Sequence, residues 1–393
     1  MKKTNTVFRG LLAVSVSTVL LYGTRAQAAS FTGLGDLAGG AFASSALDIS
    51  GDGSTVVGYS SNGLSTEAFR WTQAGGMQAL GVISPGVDHL SYGAAVSADG
   101  SVIAGYSTTA TGAYNAFRWT QATGMVSLGG LGGTDGFTRA DAMSADGSVI
   151  VGYSQTTAAP NGSGYRWTEN TGIVPMGNLP APNDVWSWAR GVSADGTVIV
   201  GQSNGFSGGQ AYRWTAAGGL EDLGLGAGAT KTSATDIASD GTIVGGGTVG
   251  GFNRSMLWTP SAGWENLGTL AGYDNSLESD ISEDGSLVFG MVFNYATPTT
   301  PFTQEGMVWD RTHGMRFAKD WLSQDYGLDL SLWTLQYVSG ISDDGKTVVG
   351  YGLHNGNTEA WVANLAAAPV PVPAGIWLLG SGLLGLCRWR RKE

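Results

Sequence analysis

A tetrapeptide constrains this chain more than any other feature. Ser-x-Asp-Gly recurs with its glycine at Gly53, Gly100, Gly147, Gly196, Gly241, Gly285 and Gly345, and Ala238 takes the serine position in the fifth copy. The successive spacings are 47, 47, 49, 45, 44 and 60 residues. Each copy is followed by an apolar run ending in glycine, such as Thr55-Val56-Val57-Gly58 or Val149-Ile150-Val151-Gly152. An aromatic-Arg-Trp-Thr segment comes next: Phe69–Thr72, Phe117–Thr120, Tyr165–Thr168 and Tyr212–Thr215, with Trp258, Trp309 and Ala360-Trp361 as degenerate copies. A glycine turn then leads to Gly-Met-x-x-Leu-Gly, as at Gly124–Gly129. Self-similarity at this period identifies a repeat architecture.

Each unit holds four short β runs, the first two joined at Asp-Gly. That dipeptide signals a two-residue hairpin in which both turn positions take φ > 0. Four antiparallel strands in each 40–50-residue unit predict an all-β, seven-bladed propeller, whereas a parallel β-helix would repeat at a shorter period. The fourth-strand motif first occurs as Leu34-Gly35-Asp36-Leu37, before the first hairpin, while the chain after Trp361 reads Val362-Ala363-Asn364-Leu365 and lacks a fourth strand. Residues 31–37 are therefore expected to complete the seventh blade, and such closure leaves no open sheet edge. The longer sixth spacing contains Phe317–Tyr326, where Phe317 and Trp321 stand at helical spacing. Composition agrees with this architecture. The 393 residues include 64 Gly but only 11 Pro, with 13% charged and 10% aromatic residues. Disordered chains are rich in charge and poor in aromatics, collagen needs far more proline, and helix interiors do not tolerate this much glycine.

Both ends read as export signals. Lys2, Lys3 and Arg9 precede an apolar core at residues 11–22, and Ala26-Gln27-Ala28 is a small-x-small cleavage site, so residues 1–28 are expected to be a secretory signal peptide. At the other end Pro369-Val370-Pro371-Val372-Pro373 precedes an apolar run at 374–387, followed by Arg388, Arg390, Arg391 and Lys392. This tail, residues 369–393, resembles the PEP-CTERM sorting signals of Gram-negative bacteria. Val372 stands where the commonest form has Glu. The resemblance implies Sec export, transient anchoring in the inner membrane by a short transmembrane segment, and processing near Pro371-Val372-Pro373 by an exosortase. Release to the cell surface or extracellular matrix would follow.

The remaining body, residues 29–368, carries 12 basic and 30 acidic residues, so the chain's net charge of −11 conceals a body at −18. Nucleic acid is excluded as a partner, since it requires basic patches. The single cysteine, Cys387, lies in the tail, so the body folds without disulfides. The repeats resemble the HAF family of extracellular repeats, named for a His-Ala-Phe motif. Ala68-Phe69 and Ala116-Phe117 match its last two letters, Glu67 and Asn115 replace the histidine, and Gly314–Leu365 resembles the family's terminal unit, closing on Glu359-Ala360-Trp361.

Propeller topology sorts short, uniform turns onto one face and variable loops onto the other, where binding usually resides. On that loop face Trp186 and Trp188, beside Asp184, are the candidate ligand-binding residues. They could stack on the sugars of a surface polysaccharide or pack between blades. Tyr92, Tyr114, Phe137 and Tyr273 are weaker candidates of the same kind. The repeated turn aspartates are expected to serve turn chemistry, because one carboxylate per turn cannot coordinate calcium. His89, His313 and His354 lack metal-ligand spacing, and neither a catalytic serine elbow nor a nucleotide loop occurs. No catalytic residue, metal or cofactor is assigned. Two functions stay open: a non-enzymatic surface or matrix module associated with exopolysaccharide, and a secreted polysaccharide-active hydrolase or lyase using loop-face acids such as Asp88, Asp135, Asp184 and Asp274.

Overall fold

The computed structural model describes residues 28–63, 65–84, 89–132, 136–155, 162–180, 186–203 and 209–365. The expected signal peptide up to residue 27 and the whole sorting tail lie outside the described residues, as does Asp184. Seven four-stranded antiparallel sheets form the blades of a propeller, and six of them run in simple sequence order from inner to outer strand. In the seventh, Trp333–Ile341, Thr347–His354 and Asn357–Asn364 are completed by the N-terminal strand Ser30–Gly33, which pairs antiparallel with Trp361–Asn364. The expected clasp is thus present. Its strand is confined to residues 30–33, while Leu34 and Leu37 continue as buried anchors between blades 7 and 1.

The Ser-x-Asp-Gly turns differ from the expected two-residue hairpin. Among the described residues Asn355 alone has a positive φ without being glycine, so the turn aspartates do not enter the left-handed region. Instead Gly53 N donates to Ser50 O at 2.8 Å to close a β-turn, and Gly53 takes φ 71° behind it. Ser50 Oγ donates to Asp52 Oδ1, which also accepts from Ser54 N, while Thr55 N donates to Ser50 Oγ. The side chains therefore satisfy a four-residue loop that a bare Asp-Gly pair would not need. These hydrogen bonds hold Asp99 and Asp146 below the usual carboxylate range. The two-residue turn does occur at Asn355-Gly356, with φ of 51° and 84°.

The glycine that ends the second-strand run has a tertiary cause. In every blade the first strand carries a register shift, as between Ala46 and Asp48 or Ala234 and Asp236. The bulge brings a carbonyl of the first strand over the second, and a Cβ on Gly58 would overlap Ser45 O. Only glycine allows that approach.

Serine and threonine hydroxyls join the blades. Ser91 Oγ accepts from Ala68 N of the preceding blade at 2.9 Å and donates to Gly81 O at 2.8 Å. Ser44, Ser187, Thr232 and Ser276 repeat the pattern. The tryptophans of the Arg-Trp segments stand opposite the methionines of the fourth strand, Trp71 opposite Met77 and Trp119 opposite Met125, and pack between blades, Trp71 with Val349 and Ala360 of blade 7 and Trp119 with Val57 and Ala68 of blade 1. The insertion forms the helix Ala318–Tyr326, ended by Gly327 in the left-handed region, and it buries Trp321 and Leu322 against Phe289 and Val308.

Candidate functional site

The bulges that require glycine also decide what faces the central channel, because each shifts one extra first-strand residue toward the axis. The channel encloses a cavity of about 390 Å³ lined by Asp48, Arg139, Asp141, Arg190, Asp236, Asp280 and Tyr337 among others. One wall is acidic. Asp48 accepts from Ile49 N at 2.7 Å and from Val96 N of the next blade at 2.8 Å. Asp280 does the same with Ile281 N and Ile341 N, both at 2.8 Å. Asp236 accepts from Ile237 N and Ile281 N beside Asp280, and burial raises it above the usual carboxylate range. Burial pushes Asp48 up to about 7, and burial together with the neighbouring Asp236 pushes Asp280 far above the usual range. These carboxyls act as staples between blades. The equivalent residues in the other blades are Ala95, Ala142, Gly191 and Gly340, which carry no such group.

The opposite wall is cationic and aromatic. Arg139 pairs with Asp141, whose Oδ2 accepts from Trp188 Nε1 at 2.7 Å. The Arg190 guanidinium lies 4.2 Å from the Trp188 ring centroid, and that of Arg139 lies 4.9 Å from it and 5.2 Å from Tyr106. Burial pulls Arg190 down from its usual range.

From Trp188 a row of rings runs along the variable-loop side. Centroid separations are 5.6 Å to Tyr153, then 6.2 Å to Phe137, 5.5 Å to Tyr114, 5.7 Å to Tyr106, 4.8 Å to Tyr92 and 5.0 Å to Tyr59. All seven rings are half-buried, so each keeps part of its surface open. The row spans four blades. Tyr92, Tyr114 and Phe137, singled out in the sequence, belong to it, whereas Tyr59, Tyr106 and Tyr153 were hidden inside the second-strand motif. Their signal was the tyrosine that follows the glycine in Gly58-Tyr59, Gly105-Tyr106 and Gly152-Tyr153.

The structure separates the two candidate tryptophans. Trp186 is buried at 8% exposure, while Trp188 is half-buried and fixed by Asp141 and the two guanidinium groups. Tyr273 packs away from the row, against Phe317, and donates to Glu305 Oε1 at 3.2 Å. Of the loop-face acids, Asp274 is tied by its backbone to Asn294 and Arg254, and Asp88, Asp135 and Asp184 lie outside the described residues. The residue in the histidine position of the repeat motif proves structural: Glu67 accepts from Gly81 N at 3.0 Å and Glu359 from Gly35 N at 3.1 Å. Among the described residues no cluster of three or more metal-ligating side chains occurs.

No family model matches this sequence, and no curated protein does. Solved structures match in fold. Oligogalacturonate lyase from Vibrio parahaemolyticus is 10% identical, with a TM-score of 0.51 over 86% of this chain and 97% of its own. A prolyl endopeptidase is 13% identical at a TM-score of 0.51, over 87% of this chain and 51% of that one. TolB from Acinetobacter baumannii is 13% identical at 0.44, over 76% of each chain. At these identities the likeness is one of propeller architecture, which hosts both enzymes and non-enzymes.

Proposed function

We propose that this protein is an exported, non-enzymatic binding module of the cell surface or extracellular matrix, with an exopolysaccharide as its polymer partner. The observation that carries this reading is the row of seven half-open rings from Tyr59 to Trp188 on the variable-loop side. Aromatic faces suit the apolar faces of sugar rings, and a row across several blades suits a chain better than a single small molecule. The sequence signals at the two ends support Sec export and exosortase sorting. The channel carboxyls favour binding over catalysis, because Asp48 and Asp280 each engage two backbone amides with their two oxygens. A hydrolase or lyase would need acids aimed at a substrate.

The test is retention of the purified protein on a panel of polysaccharides, with Tyr92→Ala and Tyr114→Ala compared at matched folding by circular dichroism. Retention should fall in both variants with no polymer cleaved. Retention unchanged without these rings, or release of shortened products, would sink the reading. For sorting, replacing Pro371, Val372 and Pro373 by alanine should leave the protein in the inner-membrane fraction, and normal release would count against exosortase processing.

A further inference from the structure

Each first strand turns one bulge residue into the channel, so seven such residues ring it. Six of them are apolar or already committed. Leu47 and Ala94 carry no polar group. Asp141 pairs with Arg139 and accepts from Trp188 Nε1, and Thr235 Oγ1 donates to Glu278 Oε1 at 2.9 Å. Ser279 Oγ donates to Val338 O at 2.6 Å, and Ser339 Oγ to Ala46 O at 3.0 Å. The seventh is Arg190. Its guanidinium rests on the Trp188 ring, 4.2 Å from the centroid, and its Nε is buried without a hydrogen-bond partner. No carboxylate among the described residues forms an ion pair with it.

The same cavity, about 390 Å³, holds the opposite imbalance. Asp48, Asp236, Asp280, Glu283 and Asp343, from blades 1, 5, 6 and 7, all line it. Among the described residues no lysine or arginine forms an ion pair with any of the five. Charges held away from water are ordinarily paired, because leaving them bare is costly. Asp48 and Asp280 each engage two backbone amides, yet a carboxylate accepts about four donors, so each keeps acceptor sites open. A metal ion does not fill the gap, since no three ligating side chains converge among the described residues. One guanidinium without an anion thus shares a space with five carboxyls without a cation.

A ligand with both missing charges satisfies the two walls at once. An anion alone would meet the five acids, and a cation alone would leave Arg190 bare. The planar guanidinium of arginine matches a carboxylate through two parallel hydrogen bonds. Val96, Met143 and Val192 also line the cavity and offer apolar surface to an aliphatic body. The volume equals that of roughly thirteen liquid waters, which suits a molecule between an amino acid and a short peptide in size. We propose that the channel is a binding site for a small zwitterion, a molecule with a carboxylate at one end and an ammonium group at the other. Arg190 takes the carboxylate, and Asp236 and Asp280 take the ammonium group. The site goes beyond polymer binding by the aromatic row and does not depend on it.

The probe is ε-aminocaproate, beside caproate and hexylamine, each of which carries one of its two charges on the same aliphatic body. Titration calorimetry with the purified protein should show ε-aminocaproate binding about tenfold or more tighter than either, the scale of one charge-assisted contact. Arg190→Met removes a guanidinium that no protein carboxylate pairs with. The variant should keep its fold by circular dichroism and bind ε-aminocaproate no better than hexylamine. Asp236→Asn should weaken binding of ε-aminocaproate and not that of caproate. Should Arg190→Met fail to fold, Arg190→Lys keeps the charge, loses the paired hydrogen bonds and should weaken ε-aminocaproate about tenfold. Caproate or hexylamine binding as tightly as ε-aminocaproate would overturn the site. Full affinity in a folded Arg190 variant, or binding of none of the three probes, would overturn it as well.

Discussion

Removing the Phe31 ring tests the closure of the ring of blades most directly. Phe31 lies on the clasp strand, T-shaped against Trp333 at 5.1 Å and stacked on Trp361 at 5.3 Å. Two aromatic contacts are worth about 0.5–1.5 kcal/mol each beyond area burial. The ring is half-buried, so Phe31→Ala should fall near the lower end of the range for buried Phe→Ala changes, about 3 kcal/mol. Urea unfolding followed by tryptophan fluorescence and circular dichroism should show the midpoint fall with an unchanged slope. Leu332→Ala, at a position 68% exposed, is the control and should shift stability by less than about 0.5 kcal/mol. Deleting residues 29–38 goes further. It also removes Leu34 and Leu37 and exposes the edge of Asn357–Asn364, so the chain should aggregate. A Phe31→Ala protein as stable as wild type, or a truncated chain that stays monomeric with full β signal, would refute the clasp.

Further outcomes follow from other residues. Folding raises the channel carboxyls Asp48, Asp236 and Asp280 above their unfolded range, so their contribution is complete below about pH 4 and erodes as pH climbs through about 7. For Asp48 alone the loss is on the order of 4 kcal/mol, and Asp48→Asn should flatten this neutral-side slope in pH-resolved unfolding. Turn aspartates such as Asp99 and Asp146 work in the opposite sense, because their lowered values stabilise above about pH 4 and lose that effect in acid. Maximum stability should therefore lie between about pH 4 and 6, and a stability curve still rising at pH 8 would contradict the assignment. Gly58→Ala should cost about 3 kcal/mol or more because its Cβ overlaps Ser45 O. Gly76→Ala meets open space and should cost only the left-handed backbone penalty of about 1–2 kcal/mol, and comparable thermal shifts for the two would argue against the bulge. Ser91→Ala strands Ala68 N and Gly81 O and should cost about 2 kcal/mol in denaturant melts.

The sequence by itself determined the number of blades, the strand order within each and the partner of the N-terminal segment. These features rest on local signals repeated seven times: the turn aspartate, the glycine that ends the second run and the tryptophan of the third strand. The helix Ala318–Tyr326 was legible for the same reason, since Phe317 and Trp321 mark one face of a helical turn. The tertiary structure decided the rest. Asp48, Asp236 and Asp280 are separated by more than forty residues at the nearest and look like ordinary polar strand positions, yet ring closure makes them neighbours. Trp186 and Trp188 are two residues apart, a spacing that within one strand would put both on the same face, yet they differ in burial because Trp186 precedes the strand Ser187–Val192 and only Trp188 belongs to it. The tyrosine that follows the second-strand glycine reads as part of a repeat, and only adjacent blades turn it into a row of rings. Gly246 shows the boundary most clearly: composition counts it as one more glycine, whereas packing sets the Glu278 carboxyl of the next blade where its side chain would stand.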